Sequence, residues 1–257
     1  MMRPVAPVVV AAALALTACS GHRARVPTAA GARGPTIVFA AVGASETVGE
    51  GTDNPVRDAW PQVLFRTALP TSATFVNFGI PGVTVATALV GELPEVLQVH
   101  PNLVTVWLNV TDVLNGVPPA TYGTQLRSLV AQLRATGAEV LVANTPPVAA
   151  LPVYAACAQP DTHPGECPAG VAQPVPAATT IDATVDAYNA AIARVAKQEG
   201  AVVVDLHGAA LHAQAAGLET SVISDDGLDP NAAGAALIAA QFAAALRTAG
   251  PVPTLHS

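Results

Sequence analysis

Residues 36–46 read Thr36-Ile37-Val38-Phe39-Ala40-Ala41-Val42-Gly43-Ala44-Ser45-Glu46. The run 36–42 carries no charge and is closed by small residues. A short, continuous apolar run of this kind predicts a strand buried on both faces. The turn that follows sets a serine at the strand's carboxyl end, on a sharp strand-to-helix bend that can present its hydroxyl clear of the sheet. The rest of the chain can be read outward from this strand.

Four further apolar runs, at 74–78, 103–108, 139–143 and 201–206, predict strands. Helical patterns lie between them. The 56–69 segment has spaced apolar residues with Pro61 inside, and predicts a short or broken helix. The 85–99 segment predicts a helix interrupted near Pro94. Leu126, Leu129, Val130 and Leu133 recur at helical spacing within 122–135, and Gly137 stops that helix. Helices are also predicted at 181–197 and 232–246. The Pro-rich excursion 151–178 reads as a lining or functional loop. Strands alternating with helices predict an α/β fold with about five mostly parallel strands covered on both faces. The loops 43–53, 79–84, 109–120, 145–180 and 221–229 should then share one edge, where sites lie in such sheets.

Composition narrows the function classes. The chain has 257 residues, 51% hydrophobic and 11% charged, with a formal charge of −7. It is too apolar for a disordered protein. Scattered arginines and one lysine, Lys197, offer no basic stripe for nucleic acid. No Walker loop is present, and Gly43, Gly49 and Gly51 lack the spacing and acidic partner of a dinucleotide fingerprint.

Part of the apolar excess is not fold material. Arg3 precedes the apolar run 5–16, which ends in Leu16-Thr17-Ala18-Cys19. A basic start, a short apolar stretch and small residues predict an export signal over 1–18. The ending resembles a bacterial lipoprotein processing box, which implies lipidation of Cys19 and anchoring on the extracytoplasmic side of the cell membrane. Residues 19–35 then read as a tether, and 36–250 as the folded domain. In an exported chain, Cys157 and Cys167 read as a local disulfide. Two cysteines without nearby paired ligands make a poor metal site.

Four of the edge loops carry unusual polar residues. Gly43-Ala44-Ser45-Glu46 follows the first strand, and Asn77-Phe78-Gly79-Ile80-Pro81-Gly82 the second. Asn109-Val110-Thr111-Asp112 follows the third. Asp225-Asp226-Gly227-Leu228-Asp229-Pro230 precedes the last helix. In order and spacing these blocks resemble the SGNH (GDSL-type) hydrolases, a family of esterases and lipases, over about residues 36–248. The resemblance implies a flavodoxin-like three-layer α/β/α sandwich. It also implies Ser45 as nucleophile, the Gly79 N–H as oxyanion donor and Asp226 as orienter of the base, with no metal or organic cofactor.

Two positions depart from that pattern. Thr111 stands where the family has an oxyanion asparagine; Asn109, two residues earlier, would need a different backbone path to replace it. Asp229 stands where the family has its catalytic histidine. An ordinary aspartate titrates about 2.6 units below histidine, and two adjacent carboxylates repel, so that one can hold a proton near neutrality. Asp229 followed by Pro230 also reads as a plain helix start, Asp at the N-cap and Pro at N1. A relocated base is to be sought at His207, which follows Asp205 on the site edge, then at His163 in the Pro-rich loop and at His212. His100, His22 and His256 lie elsewhere.

Two functions follow. One is an exported, lipid-anchored serine hydrolase acting on acyl esters of small molecules, lipids or glycans through a Ser45 acyl-enzyme. The other is an impaired homologue that binds an ester, glycan or lipid-like ligand without efficient turnover. A nucleotide-binding module lacks a phosphate loop.

Overall fold

The computed structural model describes residues 36–158, 167 and 174–249. The expected export signal, Cys19, the tether and His163 lie outside the described residues. Strands β1 (Val38–Gly43), β2 (Thr74–Asn77), β3 (Leu103–Trp107), β4 (Glu139–Ala143) and β5 (Val202–Val204) form one sheet in the order β2-β1-β3-β4-β5. Every pairing is parallel, with Phe39 opposite Leu103 and Val104 opposite Val140.

Alternation along the strands divides the core. Ala40, Val42, Val104, Val106, Val140 and Val142 face one layer of helices, and Phe39, Ala41, Leu103, Trp107, Leu141 and Val204 face the other. The result is a three-layer α/β/α sandwich. Because β1 and β3 are buried on both faces, they read as unbroken apolar runs.

In chain order the helices are α1 (Ser45–Val48), α2 (Pro55–Asp58), α3 (Trp60–Ala68), α4 (Val85–Ala88), α5 (Glu92–Gln98), α6 (Val110–Leu114), α7 (Pro119–Ala135), α8 (Pro152–Ala158), α9 (Ala178–Glu199), α10 (Leu206–Ala215), α11 (Glu219–Val222) and α12 (Ala232–Thr248). The largest anchors are aromatic. Trp60 of α3 stacks on Phe242 of α12 at 4.1 Å on one face, and Tyr122 of α7 stacks on Tyr188 of α9 at 4.0 Å on the other.

The expected break in 56–69 falls at Ala59, between α2 and α3. The break in 85–99 falls at residues 89–91 rather than at Pro94. Pro94 sits in the first turn of α5, where a missing N–H leaves no bond unmade. The Pro-rich excursion contains α8, tied down by the Cys157–Cys167 disulfide (S–S 2.01 Å). It is tied again by the Val153 N–H, which donates to Gly227 O at 3.0 Å. Helices α1, α6, α8, α10 and α11 were not anticipated, α8 lying where the excursion was read as a loop. Among the described residues no helix is long and apolar enough to cross a membrane.

The start of α12 corrects one expectation. Asn231, not Asp229, is the N-cap; its side chain accepts from the N–H groups of Ala233 and Gly234. Pro230 is still extended and pairs with Ile223 in an isolated antiparallel bridge, so the helix begins two residues later than the Asp-Pro pattern suggests. The Asn231 amide also donates to Ser221 O and Ile223 O. Asn231→Ala therefore removes a cap and two loop bonds at once. It should lower unfolding free energy by about 1–2 kcal/mol in urea titration.

Candidate active site

Strand β1 leaves the sheet at Gly43, where there is no room for a side chain. A Cβ there would lie 2.0 Å from Thr47 Oγ1 and 2.9 Å from Trp107 O. Two buried carboxyls hold this bend. The Gly43 N–H donates to Glu92 Oε1 at 3.2 Å, and the Ala44 N–H donates to Glu46 Oε1 at 3.0 Å. Ser45 follows as the first residue of α1.

Asp229 arrives from the opposite end of the chain. Asp226 Oδ1 accepts the N–H groups of Leu228 and Asp229 at 2.7 and 2.8 Å, which folds 226–229 into a tight turn. That turn carries the Asp229 side chain inward, 4% exposed, to line one cavity with Ser45. Gly51 makes the approach possible, since a Cβ at 51 would meet Pro230 O at 2.6 Å and Asp229 Cβ at 2.9 Å. Burial pushes the Asp229 carboxyl up to about 7. The Ser45 side chain opposes this shift, and the charges of Asp226 and Glu50 add to it.

The loop after β2 is stapled to α1. Asn77 Nδ2 donates to Thr47 O at 2.7 Å, and the Gly79 N–H donates to Asn77 Oδ1 at 3.0 Å. The N–H expected to face an oxyanion is thus already taken. Asn109 does not reach the site. Its Oδ1 accepts from Trp107 Nε1 at 3.2 Å and its Nδ2 donates to Ala143 O at 3.1 Å, so the side chain joins β3 to β4. Thr111 does line the cavity that Ser45 and Asp229 share. Asp112 is fully buried and accepts the Val85 N–H, which anchors the start of α4.

His207 lies apart from this group. It lines a second cavity with Asp182 and Asp186, while its Nδ1 stands 2.9 Å from Thr145 O and its N–H donates to Asn144 Oδ1. It clips α10 to the end of β4, and Asp205 serves α10 as its N-cap. His212 sits in the last turn of α10.

Two acids escaped the motif reading. Burial pushes Glu46 up to about 8, with the Asp229 charge adding to the shift. Burial also pushes Glu92 up to about 8, opposed by the Gly43 N–H and reinforced by Glu46. Glu46 lines the same cavity as Ser45. The only signal for it was a charged residue next to the serine, at a position that had to leave a buried strand. Glu92 carried none. Among the described residues no cluster of three or more His, Cys, Asp or Glu could hold a metal ion.

Comparison with known proteins places the chain in a family. A segment of 100 residues is 29% identical to an arylesterase of Vibrio mimicus, covering 38% of this chain and about half (50%) of that relative's length. Among solved structures, TesA superposes with a TM-score of 0.59 at 23% identity, over 82% of this chain and 99% of its own. An acetyl-xylooligosaccharide esterase from Geobacillus stearmophilus gives 0.60 at 20% identity, over 87% and 98%. Esterase EstA from Pseudoalteromonas sp. gives 0.58 at 18%, over 82% and 97%. These likenesses show the fold. Residues 41–237 match the sequence model of the GDSL-like lipase/acylhydrolase family across most of the chain, and the protein belongs to that family.

Proposed function

We propose that the protein is an exported serine esterase in which Ser45 attacks the acyl carbon of a carboxylic ester and Asp229 is its base. The observation that carries this reading is a buried Asp229, its affinity for a proton raised to about 7, lining one cavity with Ser45. A base works best when its pKa lies near the operating pH. Burial thus supplies much of what a histidine would bring to position 229.

In the first step the Ser45 Oγ–C bond forms as the Asp229 carboxylate takes the hydroxyl proton. The ester C–O bond then breaks, and Asp229 returns the proton to the leaving alkoxide. Water attacks the acyl-enzyme with Asp229 again taking a proton, and the carboxylic acid leaves as Ser45 regains its hydrogen. Asp226 accepts the Asp229 N–H and so holds its backbone, and its charge adds to the proton affinity of the Asp229 carboxyl. The developing oxyanion is met by the Ser45 N–H, whose position in the first turn of α1 leaves it without a helical partner, and by the Thr111 hydroxyl.

A second reading is favoured by one observation. The Gly79 N–H is engaged by Asn77, and Thr111 replaces an asparagine donor. Each lost oxyanion donor costs about 10²–10³ in rate. On this reading the protein binds an ester, glycan or lipid-like ligand and turns it over poorly.

Export is supported by the apolar run 5–16 closed by Leu16-Thr17-Ala18-Cys19 and by the Cys157–Cys167 disulfide, a bond that persists in oxidising compartments. Lipidation of Cys19 would hold the domain at the extracytoplasmic membrane face. Cys19→Ser should shift the protein from the membrane fraction to the soluble one and abolish labelling by a fatty-acid analogue.

An aryl acetate assay tests the enzyme. Ser45→Ala should remove turnover, and unchanged activity in that variant sinks the proposal. Asp229→Asn should lower kcat by about 10²–10⁴-fold. Because Asp229 must be ionised to act, kcat should rise with a single proton dependence as pH passes about 7. An inactive native protein made active by Asp229→His would establish the second reading.

Stability should follow the opposite course. The folded state keeps protons on Glu46 and Glu92 up to about 8, whereas an unfolded glutamate releases its proton near 4.5. Between these values the folded state binds more protons, so stability is full below about 4.5 and falls as pH rises towards 8. Glu46→Gln should flatten part of that decline in melting-temperature measurements.

A further inference from the structure

The cavity that begins at Ser45 and Asp229 extends between α10 and α12, with a volume of about 130 Å³. Its walls there are apolar: Leu206, Ala209 and Ala213 from α10, Ile223 from the loop before Asp229, and Leu237 and Ile238 from α12. Its polar side chains are few. Glu46 and Thr111 stand beside Ser45, and Gln241 lies one turn of α12 beyond Leu237.

The void has a simple origin. Alanines at 209, 210 and 213 put small residues on the side of α10 that faces the cavity, where leucines would close it. The cleft is open to solvent on one side, with Leu237 half exposed, and apolar surface of this kind is stabilised when a hydrocarbon covers it. Between the polar groups beside Ser45 and Gln241 at the far end, the walls are apolar side chains that cannot hydrogen-bond sugar hydroxyls. The cavity is also continuous with the hydroxyl at which an ester carbonyl would react.

We infer that this cleft holds an unbranched hydrocarbon chain on the acyl side of the substrate ester, which makes the protein selective for medium-chain acyl esters over acetyl esters. The inference rests on the reading of Ser45 as nucleophile. The acyl side is assigned because the alcohol must take its proton from Asp229 and leave past Asp226, which is exposed. The acyl group remains on Ser45 and needs a place out of water. Lining residues of α12 run from Gly234 to Gln241. That is roughly 10 Å along the helix, the reach of about eight carbons at ordinary bond lengths.

Two measurements test it separately from catalysis. The first is binding to the Ser45→Ala protein, followed through Trp107, which lines the cavity. Methyl octanoate should give a saturable change in tryptophan fluorescence at concentrations where methyl acetate gives none, and Ala213→Phe in the same background should weaken it at least tenfold. Ala210→Leu, a smaller change, should weaken it less. Each variant is first matched to its parent by circular dichroism. The second is hydrolysis by the native chain. Its kcat/KM should rise about fourfold for each added methylene from acetate towards octanoate, the equivalent of one buried CH₂. Ala213→Phe should lower the octanoate-to-acetate ratio at least tenfold.

Failure of octanoate to bind the Ser45→Ala protein overturns the inference even if acetate is hydrolysed. So does a flat or falling chain-length profile. Preference for octyl acetate over methyl octanoate overturns the acyl assignment. Saturable octanoate binding by a protein that hydrolyses nothing upholds the cleft and discards the esterase reading instead.

Discussion

A carboxyl group buried against a serine hydroxyl organises the whole edge of this domain. Asp229 and Ser45 are far apart in the sequence, and they share one cavity because several loops make room for it. Gly43 lets the chain turn beneath Trp107 and Thr47. Gly51 lets the 49–53 loop lie against Asp229 and Pro230. The Asp226 side chain shapes the turn that delivers Asp229, and Asn77 and Asp112 fasten the neighbouring loops. Burying an unpaired charge is costly, and the fold answers by raising the proton affinity of the acid rather than by supplying a cation.

Glu46 and Glu92 extend the same solution. Both take N–H groups from the bend before Ser45, and both favour the protonated form at neutral pH. An edge that would otherwise collect four negative charges around a hydroxyl is kept closer to neutral. The acids are therefore coupled to one another: ionising Glu46 raises the proton affinity of Glu92, and the charge on Asp229 does the same to Glu46. Changing one changes the electrical setting of the nucleophile.

Much of the sheet was legible because its strands are buried on both faces and so appear as unbroken apolar runs. The runs 74–78, 103–108 and 139–143 fell within a residue of β2, β3 and β4. Helix α10 was missed because Leu206-His207-Gly208-Ala209-Ala210 has no amphipathic spacing, and its capping aspartate looked like a partner for His207. The edge loops could be picked out by their polar residues, but not by where those side chains point. Asn109 and Thr111 differ by two positions, yet one is spent inside the sheet and the other lines the cavity. Asp229 shows the limit most clearly. Its helix-start pattern with Pro230 is a local regularity. Its inward turn depends on Asp226, Gly51 and Asn231 acting together, which no short window of sequence contains.

The close passage at Gly51 has a consequence for anyone who would rebuild this edge. Where the 49–53 loop crosses residues 229–230, the missing side chain at 51 is what sets the separation of the two strips of backbone. The space around position 229 is therefore a property of residue 51 as much as of 229 itself. An imidazole introduced at 229 has to share that gap with Ser45 and the Asp226 turn, so the redesign is first a question of volume and only then of charge. Any library that varies 229 while holding 51 as glycine keeps the backbone path. One that varies both moves the wall and its occupant together.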